Sequence, residues 1–225
     1  MLNSYNVARM IDISAVRTHH SIKDIKTLIQ YAKKYRFINV HVLPVWVSLA
    51  ADLLKEEKDI LVGSPVGFPS GGHLREIKVQ EAKRLIIDGV QEIDMVMSVG
   101  KLKSKEYNYV LDEIREVKET VDPIPLKVII EINCLIDDEV KKACELVIKG
   151  GANYIKTGTG WVPGDANIER IKMIRQFVGN DIKIKAAGGI HIKEEFLKLY
   201  EIGIRRFGIN FKSAIKIVNS FNEYS

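Results

Sequence analysis

The segment Leu126 to Gly160, LKVIIEINCLIDDEVKKACELVIKGGANYIKTGTG, holds a strand, a helix and a second strand in succession. LKVIIEI, Leu126 to Ile132, is the most clearly β-branched run of the chain and reads as a strand. Asp137 to Lys149 reads as a helix that the Gly150-Gly151 pair closes. Tyr154 to Thr157 is a further short strand, and it delivers one lysine, Lys156, into a turn of Gly and Thr. About thirty residues later KIKAAGGI, Lys183 to Ile190, repeats this pattern and sets Lys185 before paired glycines. Lysines at the ends of successive buried strands lie close together. Their ammonium groups repel, so one loses its proton more easily and becomes an amine able to attack a carbonyl.

The same alternation extends outward in both directions. Before this segment the sequence predicts strands over Ala8 to Ser14, Phe37 to Leu43, within Asp59 to Phe68, and over Gln91 to Met97. Helices are predicted over Ile22 to Arg36 with Ser21 as cap, from Pro44 through Leu54, over Arg75 to Asp88, and from about Ser104 to Val121. In the helix from Arg75, residues Ile77, Ala82, Leu85 and Ile86 are the set able to face a sheet. After the segment come a helix over Asn167 to Val178, strands over Ile182 to Ala187 and Arg205 to Ile209, and helices near Lys193 to Glu201 and Ser213 to Phe221. Eight strands alternating with eight helices, most strands apolar on both faces, argue for a closed (β/α)8 TIM barrel in a single domain spanning 1 to 225. An open doubly wound sheet is the alternative, but it needs fewer units or a distinctive Gly-rich first turn. In a barrel the strand C-termini line the active face. That places Asp12, His41, Asp94, Glu131, Lys156, Lys185 and Gly208 near one mouth.

At 225 residues and 46% hydrophobic the chain can bury a large core, and no linker favours two small domains over one barrel. The net charge of +5 and pI near 9.0 favour anionic small molecules over nucleic acid, because the lysines are spread along helix faces without a dense basic block. Cys134 and Cys144 make no metal-binding spacing and read as reduced, partly buried thiols. The first residues lack a signal-peptide layout and no apolar run is long enough to span a bilayer, so the expectation is a soluble cytoplasmic protein without membrane contact.

Asp94, inside EIDMVMSVG, is a carboxylate at the heart of an apolar strand, costly to bury unless it is paired or functional. A buried ion pair with a lysine explains it as well as chemistry does until Lys156 and Lys185 are counted; three ionisable residues on three strands favour chemistry. Imine chemistry needs a nucleophilic amine, a nearby cation that lowers its pKa, and a proton shuttle, and these three residues supply them.

VGFP (Val66 to Pro69), EIDMV (Glu92 to Val96), KVIIE (Lys127 to Glu131), YIKTGTGW (Tyr154 to Trp161), KAAGGI (Lys185 to Ile190) and RFG (Arg206 to Gly208) together resemble the deoxyribose-phosphate aldolase family, class I aldolases, in the right order over almost the whole chain. The resemblance implies a (β/α)8 barrel that reversibly cleaves 2-deoxyribose 5-phosphate to glyceraldehyde 3-phosphate and acetaldehyde, without metal or other cofactor. It implies that Lys156 forms the imine, that Lys185 perturbs it and that Asp94 transfers protons. Asp12, in IDIS, would hold Lys185 or a substrate hydroxyl.

The chain also departs from the family. Gly158 stands in a serine position, His41 stands where many members have a small thiol or apolar residue, and the first strand IDISAVRTHH differs from the usual sequence. The phosphate-holding serines after the eighth strand are replaced by Asn210 and Phe211, and His191 replaces the arginine after the GGI turn. The expected substrate-binding set is therefore a rebuilt one, Thr159, Gly160, Gly188, Gly189, His191, Gly208 and Asn210, in which backbone N-H groups and His191 or Lys212 hold the phosphate. A related Schiff-base aldolase with a different aldehyde or sugar phosphate, and a sugar-phosphate-binding barrel without catalysis, remain open. So does a homo-oligomer, dimer or tetramer.

Gly63, Gly67, Gly71 and Gly72 fit no nucleotide-loop spacing and read as turn residues of the barrel mouth. His19-His20 cannot both face one metal from a strand, and no HExxH occurs, which argues against a zinc-dependent aldolase. Pro163 and Gly164 mark a loop that can cover the site, or a simple turn.

Overall fold

The computed structural model describes residues 2 to 221. Eight parallel strands close into a barrel in the order β1 to β8: Ile11–Ala15, Asn39–Val42, Leu61–Val66, Glu92–Val96, Leu126–Ile129, Tyr154–Lys156, Lys183–Ala187 and Arg206–Asn210. Closure is made by β8 against β1, with Asp12 opposite Gly208. The β-branched and apolar strand residues explain this arrangement, since alternate positions face outward onto helices and bury Ile13, Val40, Ile93, Val128, Ile155 and Phe207 against them.

Ten α-helices are found among the described residues, where the sequence predicts eight. A short α1, Ser4–Ala8, precedes β1, in residues where the sequence predicts no helix. Next come α2 (Ile22–Tyr35), α3 (Val47–Leu54) after a 3-10 turn over Pro44–Trp46, and α4 (Arg75–Ile87). The charged helix predicted from about Ser104 to Val121 is α6 (Tyr107–Val121), and an additional short α5 (Val99–Lys103) precedes it, separated from it where Lys105 adopts φ 61°. The remaining helices are α7 (Asp137–Lys149), α8 (Ile168–Val178), α9 (Lys193–Glu201) and α10 (Phe211–Asn219), which starts two residues earlier than expected because Asn210 caps it. At the start of α2 the expected cap is present: the Ser21 backbone N-H and hydroxyl both donate to Asp24. None of these helices is long and apolar enough to cross a membrane.

Two sequence expectations are corrected. Cys134 is exposed and Cys144 buried, so neither thiol is partly buried, and burial raises the Cys144 pKa to about 12. In α4, Ala82 and Leu85 face the sheet, but Ile77 is 49% exposed and its neighbour Lys78 is fully buried instead. The helix phase is set by a polar anchor. Lys78 Nζ donates to Glu113 Oε2 at 2.7 Å and to the Val96 carbonyl at 2.9 Å, while Glu113 accepts from the Ser98 backbone and the Ser98 hydroxyl donates to the Gly71 carbonyl. This network ties α4, α6 and the loops after β3 and β4 together behind the barrel wall.

Breaking one member of a buried pair leaves the other charge unsolvated and unpaired. Lys78→Met is accordingly expected to lower unfolding free energy by about 3 kcal/mol, measured by urea denaturation. A loss below about 1 kcal/mol would show that the pair contributes no more than a surface one.

Candidate active site

The middle and lower layers of the barrel interior hold a group of buried ionic side chains. Asp12 on β1 accepts from Lys185 Nζ and from Arg206 Nε. Asp94 on β4 receives Lys156 Nζ at 2.8 Å and Lys185 Nζ at 2.7 Å on one and the same oxygen, Oδ2, and its Oδ1 lies 3.2 Å from Lys127 Nζ. Below them Glu92 accepts from Arg206, lies 2.9 Å from Lys127 Nζ and accepts from Asn39 Nδ2 at 2.9 Å. All of these groups are buried.

Three carboxylates thus face four basic groups, and with every group ionised the set carries one positive charge in excess. Releasing one proton from one lysine balances it. Lys156 is the group placed to do so. Its pKa is lowered to about 8, first by burial and then by the charge of Lys185, against the opposing pull of Asp94. Burial therefore exceeds the ammonium repulsion read from the sequence. Burial opposes ionisation of Asp12 and Asp94 too. The surrounding cations nevertheless hold both carboxyls below the usual range, Arg206 and Lys185 acting on Asp12, and Lys127, Lys156 and Lys185 on Asp94. Lys127, whose burial favours the free amine, is raised instead by Asp94 and Glu92 and stays charged.

Above this layer a cavity opens at the C-terminal end of the barrel. Its lining includes Asp12, His41, Lys156, Lys185, Thr159, Gly160, Gly188, Gly189, His191, Gly208 and Asn210, whereas Asp94, Glu131, Gly158, Phe211 and Lys212, also singled out from the sequence, do not line it. Asp94 lies just beneath, bound to the two lysines.

The model of the DeoC/LacD family of aldolases matches residues 9–205. This chain belongs to that family. It is 37% identical over 223 residues to deoxyribose-phosphate aldolase of Klebsiella pneumoniae subsp. pneumoniae, covering 98% of this chain and 90% of the relative. It is 44% identical over 213 residues to the enzyme of the same name from Sinorhizobium medicae, covering 95% and 86%. Among solved structures the aldolase QR15 superposes with a TM-score of 0.91 at 34% identity, over 96% of each chain.

Within this DeoC/LacD barrel, several positions differ from the arrangement expected of them. Glu131 is not on β5, which ends at Ile129. It follows in a left-handed backbone conformation, φ 53°, and its carboxylate accepts from the Thr159 backbone and hydroxyl. Burial raises its pKa. This carboxylate lies against Gly158, where a Cβ would come within 2.8 Å of Glu131 Oε1, so a side chain there would displace it. At the start of the final helix, one of the expected sources of backbone donors, the Ser213 N-H is taken by Asn210 Oδ1 at 3.0 Å, and just after the Gly188-Gly189 turn the His191 N-H donates to Glu195 at 2.6 Å. The Pro163-Gly164 loop follows Trp161, which packs edge-on against Phe68 and donates from Nε1 to the Val16 carbonyl, so the loop base braces two residues of the cavity wall from behind.

The sequence reading missed Arg17, His20, Ser14 and Phe68 in the cavity wall and Lys127, Glu92, Asn39 and Arg206 in the layer beneath. The period-two rule carried the signal for the second group. Glu92 lies two residues before Asp94 and Arg206 two before Gly208, and so each shares an inward face with a position already chosen.

Asp12, His41 and Asp94 also bring ligand-type atoms within 4.8 Å of one another. Both carboxylates are bound to ammonium or guanidinium groups, so a metal ion would have to displace Lys185, Arg206 or Lys156.

Proposed function

We propose that this chain, as one barrel domain, is a class I aldolase that cleaves 2-deoxyribose 5-phosphate to glyceraldehyde 3-phosphate and acetaldehyde through an imine on Lys156. The observation that carries the reading is the shared oxygen of Asp94, which holds Lys156 and Lys185 together beneath a cavity that Lys156 borders. An amine with a pKa near 8 is available as a nucleophile at neutral pH without any other group removing its proton first.

In this reading the free amine of Lys156 attacks the aldehyde carbon, and Asp94 moves the protons needed to expel water as the imine forms. Cleavage of the bond between the second and third carbons leaves an enamine on the two-carbon fragment, whose protonation and hydrolysis release acetaldehyde. Lys185 keeps the positive potential that favours the free amine, and Asp12 fixes Lys185 in place.

The phosphate end is assigned to the side of the mouth formed by the loop after β1. Arg17 borders the cavity there, its guanidinium 5.2 Å from the Trp161 ring and donating to the Gly160 carbonyl at 2.6 Å, with His20 beside it. This pinned cation offers its remaining N-H groups to an anion. Arg17→Ala is expected to raise KM for deoxyribose 5-phosphate about tenfold, the scale of one charge-assisted contact, and to leave cleavage of unphosphorylated deoxyribose unchanged. A coupled assay of aldehyde release from both sugars tests the assignment and the substrate together. Equal turnover of the two sugars by the unaltered enzyme would remove the phosphate from the proposal.

A further inference from the structure

His41 on β2 is only 3% exposed and borders the same cavity, yet neither ring nitrogen has a hydrogen-bond partner among the described residues. A buried imidazole with both nitrogens unpaired is costly unless something else meets them. Space is kept for the ring. Gly63, its partner on β3, would place a Cβ 2.4 Å from His41 Nδ1, so only glycine there leaves the imidazole where it is. With Nδ1 over Gly63, Nε2 lies on the side of Asp94, 3.5 Å from Oδ2, the oxygen that binds Lys156.

We propose that His41 is a further catalytic residue, the base that takes the proton of the hydroxyl on the substrate carbon that becomes the aldehyde when the bond breaks. The inference rests on the imine reading above. In the step, the O-H bond of the imine-bound substrate breaks and its proton passes to Nε2. The O-H pair forms the new carbonyl π bond, the pair of the breaking carbon-carbon bond becomes the enamine double bond, and the π pair of the iminium moves onto its nitrogen. The products are an aldehyde and the enamine on Lys156, with His41 protonated. Asp94 faces the resulting imidazolium, and the proton leaves to solvent once the aldehyde has departed. Burial, reinforced by Lys185 and Lys156 and opposed by Asp94, keeps the imidazole pKa well below its usual value, so the ring enters the step unprotonated. Asp94 then serves imine formation and hydrolysis, and His41 the hydroxyl, which separates the two proton transfers between two strands.

The test compares three readings on His41→Ala and His41→Gln: borohydride trapping with acetaldehyde, exchange of acetaldehyde methyl protons in deuterium oxide, and cleavage of deoxyribose 5-phosphate. Trapping and exchange need the imine and enamine but no hydroxyl. Both variants are expected to keep trapping, to keep exchange within about threefold, and to lose at least about thirtyfold in kcat for cleavage, within the range of a single acid-base group. Glutamine fails with alanine because an amide can hydrogen-bond but cannot accept the proton. Unchanged cleavage, recovery in His41→Gln, or a parallel fall of all three readings would overturn the assignment, the last marking a structural role. If the unaltered enzyme traps acetaldehyde but does not cleave deoxyribose 5-phosphate, the proposed substrate fails. His41 is then judged by the addition of acetaldehyde to a second acetaldehyde, where the same hydroxyl is made. A lack of trapping in the unaltered enzyme overturns both proposals.

Discussion

Lys156→Ala is expected to abolish borohydride trapping of acetaldehyde and to lower turnover by a factor on the order of 10⁴ to 10⁶, the scale on which removal of a covalent nucleophile acts. No other lysine can substitute in place. Lys185 is bound by Asp12 as well as Asp94, and Lys127 lies below the cavity, raised in pKa by its carboxylate neighbours. In the unaltered enzyme the free amine is the reactive form, and with a pKa of about 8 its fraction is on the order of a tenth at neutral pH. The value of kcat/KM is therefore expected to rise about tenfold per pH unit in the acid range and to level off above about pH 8. Peptide mapping of the reduced adduct identifies the lysine. An adduct that survives in Lys156→Ala would place the imine elsewhere, and a profile flat between pH 6 and about 8 would show that this amine does not limit the reaction.

The second large effect is expected from Asp94→Asn, a loss of turnover on the order of 10³ to 10⁴, at the upper end for acid-base catalysis. The amide keeps the shape of the carboxylate but cannot carry protons. It also removes a negative charge from beside three lysines, and here the sign is diagnostic. Asp94 raises the pKa of Lys156, so its neutralisation lowers that pKa and moves the acid limb of the pH profile to lower pH. Slow turnover with a limb displaced downward distinguishes loss of the shuttle from general damage. A near-normal rate, or a limb displaced upward, would remove Asp94 from the proposed mechanism. The melting temperature, followed in parallel, reports what the lost ion pairs contribute to the fold.

The barrel itself was legible because strands β4 to β7 are short apolar runs between helical segments with clear caps and glycine stops. Lys156, Lys185 and Asp94 were legible for the opposite reason, since a charge that interrupts such a run stands out. Lys127, Glu92 and Arg206 are chemically alike but sit at the entrance of their strands, where charged residues are ordinary, and their partners come from strands far apart in sequence. Only closure of the sheet brings β8 beside β1 and so brings Arg206 to Asp12. Lys78 was hidden in another way. In the charged helix REIKVQEAKRLII one lysine looks like the next, and its burial is decided by Glu113 on a different helix. The additional helices α1 and α5 were missed because helices of five residues carry too little periodicity to be seen. His41 was visible as an odd residue, but its open slot depends on Gly63 across the strand pair, a relation the linear chain does not display.

Glu92 and Lys127 touch no part of the cavity, yet they stand in the same buried layer as Asp94 and set its charge balance. A carboxylate lost from that layer makes Lys156 a weaker base, and a cation lost from it makes Lys156 a stronger one. The barrel floor therefore acts as a dial for working pH. It can be turned from positions that no substrate reaches, leaving the shape of the substrate pocket as it was.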